Sequence, residues 1–124
     1  MTETVVVADD NGDIRELVVI AAGKAGMTVV ANVDDGAAAL AAIREHVPDL
    51  AILDVAMPEL TGPDVCRQVR ADPALADVRI LLLTASADEA AKLTGMEAGA
   101  DYFLAKPFSP RELTAWLSVG KQPR

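Results

Sequence analysis

"VVVADDNGD", residues Val5–Asp13, drives an apolar, β-favouring run straight into two adjacent carboxylates, Asp9 and Asp10. Like charges side by side repel, so such an ending calls for a helix to cap, a solvated position or a cation. Asp10 or Asn11 is placed to cap a following helix, and Asp9 to be solvated. That structural reading accounts for each residue singly and leaves the pair unexplained.

Working outward, "MTVVANV", "DLAILDVA" and "VRILLLTA" repeat the theme of the first run. They are short, β-branched or Leu-rich, and lack clean alternation, as strands covered on both faces do. "DYFLAK" is a shorter fifth. Between them the apolar residues fall at helical spacing. A first helix is predicted over Gly12–Ala25, with Ile14, Leu17, Val18 and Ala21 on one face and Gly26 as its stop. A second covers Gly36–His46, with Leu40, Ile43 and then Val47 inward and Pro48 past its end. A third, Pro63–Ala71, turns Val65, Cys66 and Val69 inward. The fourth starts at Ser86, which forms a capping box with Glu89. The last opens on "SPREL": Ser109 caps, Pro110 takes the first helical position and Glu112 closes the box, leaving Leu113 and Leu117 to face the sheet. Five βα units imply a parallel sheet with right-handed crossovers and helices on both faces. Only the terminal "KQPR" reads as frayed.

A chain of 124 residues fits one domain, 1–124. With 52% hydrophobic residues but only 3% aromatic, the core must be Val, Leu, Ile and Ala, which suits close helix-to-sheet packing. The net charge of −8 argues against a nucleic-acid or anionic-membrane surface and favours a cation or a basic partner. A single cysteine, Cys66, excludes an internal disulfide and a thiolate cluster, and its apolar helical setting predicts burial. With no N-terminal apolar signal segment and no run of 18 apolar residues, a cytoplasmic location is expected.

In parallel sheets of this kind, ligands gather outside the C-terminal strand ends, where strand order reverses. Strand one ends at Asp9 and Asp10, strand three at Asp54, strand four at Thr84 and strand five just before Lys106, all on one edge. Singly, Asp54 is a strand-end acid, Thr84 begins a turn and Lys106 is a solvated charge. Together, three acids converging without a cation would repel strongly at low dielectric. His46 is different: it sits at a helix C-terminus, which favours an imidazole, and no second ligand is spaced to join it.

"VVVADD", "LAILDVAMPELTG", "LLLTA" and "GADYFLAKPF", in this order, resemble the CheY-like receiver domain of response regulators in two-component signalling, over essentially the whole chain. The resemblance implies a doubly wound (βα)5, flavodoxin-like three-layer sandwich with a parallel five-stranded sheet in the order 2-1-3-4-5. It implies that Asp54 is phosphorylated by a histidine kinase or a histidine phosphotransfer protein. It also implies that Asp9, Asp10, Asp54 and the backbone carbonyl of Ala56 hold Mg²⁺. Gly62 matches a family glycine, here read as permitting a positive φ, and Pro58 stiffens the same loop. The Lys106–Pro107 bond is cis in the family, which would aim the amine at the site.

The chemistry agrees with that likeness. A carboxylate is a poor nucleophile toward an anionic phosphoryl group, so the site must cancel charge and align the reactants. Mg²⁺ takes carboxylate, carbonyl and phosphate oxygens in octahedral geometry. Lys106 would set a compact positive charge beside the phosphoryl oxygens, and the Thr84 hydroxyl would donate to another.

The likeness also implies a switch from Thr84 to an aromatic three residues before the lysine, here Phe103, where Tyr is more usual. Thr94 and Gly95 in the neighbouring helix are weak helix formers, so that helix is expected to be adjustable. In receivers that dimerise through the fourth helix and fifth strand and helix, a salt-bridge ladder uses an acid and an arginine where this chain has Tyr102 and Trp116. The expected readout is therefore protein binding through the surface around Phe103, Tyr102 and Trp116, to a downstream target or output domain. The chain is expected to be a monomer or weak homodimer, with no direct nucleic-acid or membrane contact. No DNA-binding or catalytic module follows Lys121 within this sequence, which leaves a free-standing and an excised receiver both open. An Mg²⁺-dependent phosphohydrolase would want a second acid where Ala56 sits, and a flavin carrier would want uncharged donors after strand one. A receiver-like scaffold that takes no phosphate would not need the full set Asp9, Asp10, Asp54, Thr84 and Lys106.

Overall fold

A computed structural model of the chain describes residues 3–85, 89–106 and 108–119. Its strands are β1 (Thr4–Ala8), β2 (Thr28–Val33), β3 (Leu50–Asp54), β4 (Arg79–Thr84) and β5 (Tyr102–Ala105). They pair in parallel in the order β2-β1-β3-β4-β5. The helices are α1 (Gly12–Lys24), α2 (Gly36–His46), α3 (Gly62–Arg70), α4 (Glu89–Ala98) and α5 (Pro110–Val119), with a short 3₁₀ turn at Pro73–Leu75. This is the doubly wound, flavodoxin-like arrangement expected.

The three central strands carry the core because each is covered twice. Val6, Ala8, Ala51, Leu53, Ile80 and Leu82 pack with α2, α3 and α4, while Val5, Val7, Leu50, Ile52, Leu81 and Leu83 pack with α1 and α5. Successive strand residues face opposite layers. Cys66 is fully buried, and burial pushes its thiol up to about 12, so it is inert packing. Leu113 and Leu117 are buried under α5.

Several expectations need correcting. β2 and β5 are not covered like the rest: β2 is exposed at Thr28 and Asn32 and half-buried elsewhere, and β5 is half-buried throughout. They are the two edges of the sheet, where a helix covers each face only in part. Val47 does not turn inward; it ends α2 in the left-handed region (φ 43°) and is 51% exposed, while Pro48 takes the buried place. The third helix begins one residue earlier than predicted, at Gly62, because Thr61 and Asp64 form a reciprocal capping box. Asn11, rather than Asp10, caps α1, accepting from the amides of Asp13 (3.0 Å) and Ile14 (3.2 Å). Gly26 does end the first helical segment, at φ 86°. Ser109 Oγ accepts from the Glu112 amide at 3.0 Å. Ser86, Pro107 and the final KQPR lie outside the described residues.

Candidate functional site

Strand pairing assembles the rim. β1 and β3 are neighbours with Ala8 level with Leu53, which brings the next residue of each chain segment, Asp9 just past β1 and Asp54 at the end of β3, side by side. Asp9, Asp10 and Asp54 each place a carboxylate oxygen within 4.8 Å of the others. Asp9 is fully buried and Asp54 nearly so, whereas Asp10 is exposed. Asp9 is therefore not the solvated acid of the structural reading. Its Oδ1 accepts from the Asn11 amide at 2.9 Å, and its carbonyl accepts from Arg15 Nη1 at 2.9 Å.

Lys106 reaches this cluster from the end of β5. Its Nζ lies 3.1 Å from Asp9 Oδ2 and 3.2 Å from Asp54 Oδ1. Its amide donates to the Thr84 carbonyl at 2.7 Å, which sets the lysine beside the buried threonine. Asp9 Oδ2 is buried without a hydrogen bond in good geometry and depends on the Lys106 charge.

Burial pushes Asp54 up from 3.8 to about 6, the neighbouring Asp9 charge adds to this, and Lys106 and the Ala56 amide oppose it. Burial would lower the Lys106 amine, but its bond to Asp9 and the Asp54 and Asp9 charges outweigh that and raise it. One ammonium thus serves two buried carboxylates while a third acid stands open to solvent. Three hard oxygen donors, one of them without a hydrogen bond, fit a small divalent cation.

The loop after β3 holds its shape by close contacts. Gly62 donates to the Val55 carbonyl at 2.9 Å, and a Cβ on it would come within 2.6 Å of the Asp54 carbonyl oxygen. Gly62 is thus required for contact and not for a positive φ, as the sequence suggested; the positive φ in this loop belongs to Glu59, at 72°. The Pro58 carbonyl accepts from Gly36 (3.1 Å) and Leu60 (2.8 Å), tying the loop to the start of α2. Gly36 and Glu59 were not singled out as site elements by the sequence. The only trace of Gly36 was its place at a helix start.

Phe103 and Tyr102 occupy consecutive positions on β5 and so face opposite layers. Phe103 packs with the α2–α4 layer, against Gly95, whose missing Cβ would lie 2.5 Å from Phe103 Cε1. Gly95 is thus a packing requirement as well as a weak helix former. Tyr102 packs with the α1–α5 layer and meets Trp116 edge to face, centroids 5.1 Å apart at 80°. Both rings are half-buried, and the surface expected around all three aromatics divides between the two sides of the sheet. His46 Nε2 lies 3.1 Å from Glu45 Oε2, remote from the acidic cluster by its place at the end of α2.

A family model described as the response regulator receiver domain matches residues 5–118. Transcriptional regulatory protein GltR of Pseudomonas aeruginosa is 45% identical over 116 residues, covering 94% of this chain and 48% of that protein. DNA-binding response regulator MtrA of Mycobacterium tuberculosis is 41% identical over 115 residues, covering 93% of this chain and 49% of that protein. The signal receiver domain of NarL from Mycobacterium tuberculosis superposes with a TM-score of 0.91 at 35% identity, covering 99% of this chain and 98% of that one. The chain spans about half the length of the curated relatives it matches. Because a relative of twice this length is named as DNA-binding, the expectation of no nucleic-acid contact does not extend to full-length proteins of this kind. Among the described residues, no helix is long and apolar enough to cross a membrane.

Proposed function

The chain belongs to the response regulator receiver domain family of two-component signalling, and from that premise we propose that it is a phosphoacceptor switch whose acceptor is Asp54. The observation that carries this reading is the convergence of Asp9, Asp10 and Asp54 with Lys106 bridging two of them. A histidine kinase or histidine phosphotransfer protein is the donor. A carboxylate oxygen of Asp54 forms the new P–O bond as the P–N bond to the donor histidine breaks, and the imidazole leaves with the electron pair. Magnesium held by Asp9, Asp10, Asp54 and the Ala56 carbonyl would supply the charge neutralisation that brings two anions together. Lys106 then pairs with phosphoryl oxygens in place of the Asp54 carboxylate, and the Thr84 hydroxyl donates to another.

The product is a signalling state and not a turned-over metabolite, so the chain acts as a switch and not as an enzyme on a separate substrate. A phosphate carries about −1.5 to −2 charges, enough to draw in Thr84 and bias Phe103 and α4. A downstream protein or output domain reads that change, on a monomer or weak homodimer of one domain in the cytoplasm. Incubation with Mg²⁺ and a small phosphodonor should add the mass of one phosphate to the wild type and none to Asp54→Asn. Equal phosphorylation of the mutant rejects Asp54 as acceptor. No mass gain in the wild type would favour a phosphorylation-independent scaffold.

Lys106 and Thr84 should govern what phosphorylation does and not whether the cation binds. Lys106→Ala removes the positive charge closest to the acids, so Mg²⁺ affinity should be retained or rise, while NMR shifts at Phe103 on beryllofluoride addition are lost. Thr84→Ala should leave the Mg²⁺ titration unchanged and lose the same shifts. Loss of Mg²⁺ binding by either folded variant would overturn this division of roles.

A further inference from the structure

The amide, carbonyl and Oδ1 of Asp9 are hydrogen-bonded, and its Oδ2 meets only a charge. Its amide donates to the Val33 carbonyl at 3.2 Å, its Oδ1 accepts from the Asn11 amide at 2.9 Å, its Oδ2 leans on Lys106 at 3.1 Å, and its carbonyl accepts from Arg15 Nη1 at 2.9 Å. Three of these partners come from the backbone or from the acidic site itself. Arg15 alone is a side chain recruited from the body of α1, six residues along the chain, and it is half-buried in doing so.

The bond closes the turn between β1 and α1. Asp10, which makes the exposed corner of that turn, is placed by what holds Asp9 behind it and Asn11 ahead of it. Asn11 is secured as the cap of α1, with its backbone carbonyl accepting from the Arg15 amide at 2.9 Å. Arg15 therefore grips both flanks of Asp10, through its guanidinium on one side and its amide on the other. We propose that Arg15 is a positioning residue for the acidic site, fixing the Asp9–Asp10 turn so that the exposed Asp10 carboxylate faces Asp54. This rests on the reading that the cluster takes Mg²⁺.

The proposal has a sign that distinguishes it from simple electrostatics. Arg15 holds its guanidinium against the Asp9 backbone, beside the acidic site, so removing its charge alone should tighten the binding of another cation there. Removing a group that orients a metal ligand typically weakens metal binding tenfold or more. Arg15→Met keeps an unbranched stem of helix-favouring character and deletes both charge and donors. Calorimetric Mg²⁺ titration of wild type, Arg15→Met and Arg15→Lys, each checked for fold by circular dichroism, separates the cases. The expected result is about tenfold weaker binding in Arg15→Met, with Arg15→Lys in between because it retains one donor end. Faster amide exchange at Asn11 in Arg15→Met should accompany the loss. Unchanged or tighter Mg²⁺ binding in Arg15→Met overturns the proposal, as does Arg15→Lys binding no better than Arg15→Met. If Arg15→Met does not fold, the Arg15→Lys comparison with wild type decides, and an unchanged affinity there overturns it. A wild type that fails to bind Mg²⁺ at all rejects the metal-site reading itself, a result distinct from failure of the Arg15 assignment.

Discussion

Asp54→Asn should make the metal-free protein more stable at neutral pH, raising Tm by roughly 5–10 °C. Burial and the adjacent Asp9 hold Asp54 at about 6, against 3.8 for an ordinary side chain. The folded state therefore binds more protons than the unfolded state between those values, and stability falls as pH rises through that window. The contribution is absent below about pH 3.8 and complete above about pH 6. A shift of this size corresponds to about 3 kcal/mol, with the opposing Lys106 interaction already inside it, and an Asn amide, which meets the Lys106 ammonium less well than a neutral carboxyl would, leaves ~2 kcal/mol. Melting curves in chelator should show the two proteins close together near pH 4 and far apart at pH 7. Mg²⁺ should stabilise the wild type more and narrow the gap. A mutant melting at or below the wild type in chelator at pH 7 would show that Asp54 is not held at electrostatic cost.

Gly36→Ala should be the most damaging single-atom change in the loop region. The added Cβ would collide with the Leu60 carbonyl oxygen and lie 2.6 Å from its carbonyl carbon and 2.7 Å from its Cβ. Two of these are backbone atoms, so no rotamer change relieves the clash. Either α2 withdraws, breaking the Gly36 amide bond to the Pro58 carbonyl, or the loop carrying Ala56 shifts. Overpacking of this kind costs about 3 kcal/mol, a fall in Tm of about 10 °C. Thermal melts check it directly. A fall of less than about 2 °C would mean that the loop moves freely, contrary to the contacts that tie it down.

The fold was legible because its cause is local. Buried parallel strands must be apolar on both faces, and β3 and β4 are; helices between them announce their ends with Gly26, Ser109 and Pro110. The acidic site was legible for a related reason: Asp9, Asp10, Asp54, Thr84 and Lys106 interrupt apolar runs at one strand edge, and a charge there is conspicuous. Edge status was less legible, since β2 and β5 carry apolar residues too and only sheet order leaves them half-covered.

Glycine roles and side-chain partners came from the tertiary structure alone. Gly62 and Gly95 read in sequence as conformational freedom and helix weakness, yet their neighbours, the Asp54 carbonyl and the Phe103 ring, arrive from other elements. Tyr102 and Phe103, adjacent in the chain, belong to opposite layers. The sequence by itself determined which elements form and which strand ends carry charge, because propensity, capping and apolar periodicity act over a few residues. Only the tertiary structure decided that Lys106 bridges Asp9 and Asp54, that Arg15 ties down the Asp9 carbonyl and that Gly36 must admit Leu60, because each contact depends on distances between elements that no local pattern encodes.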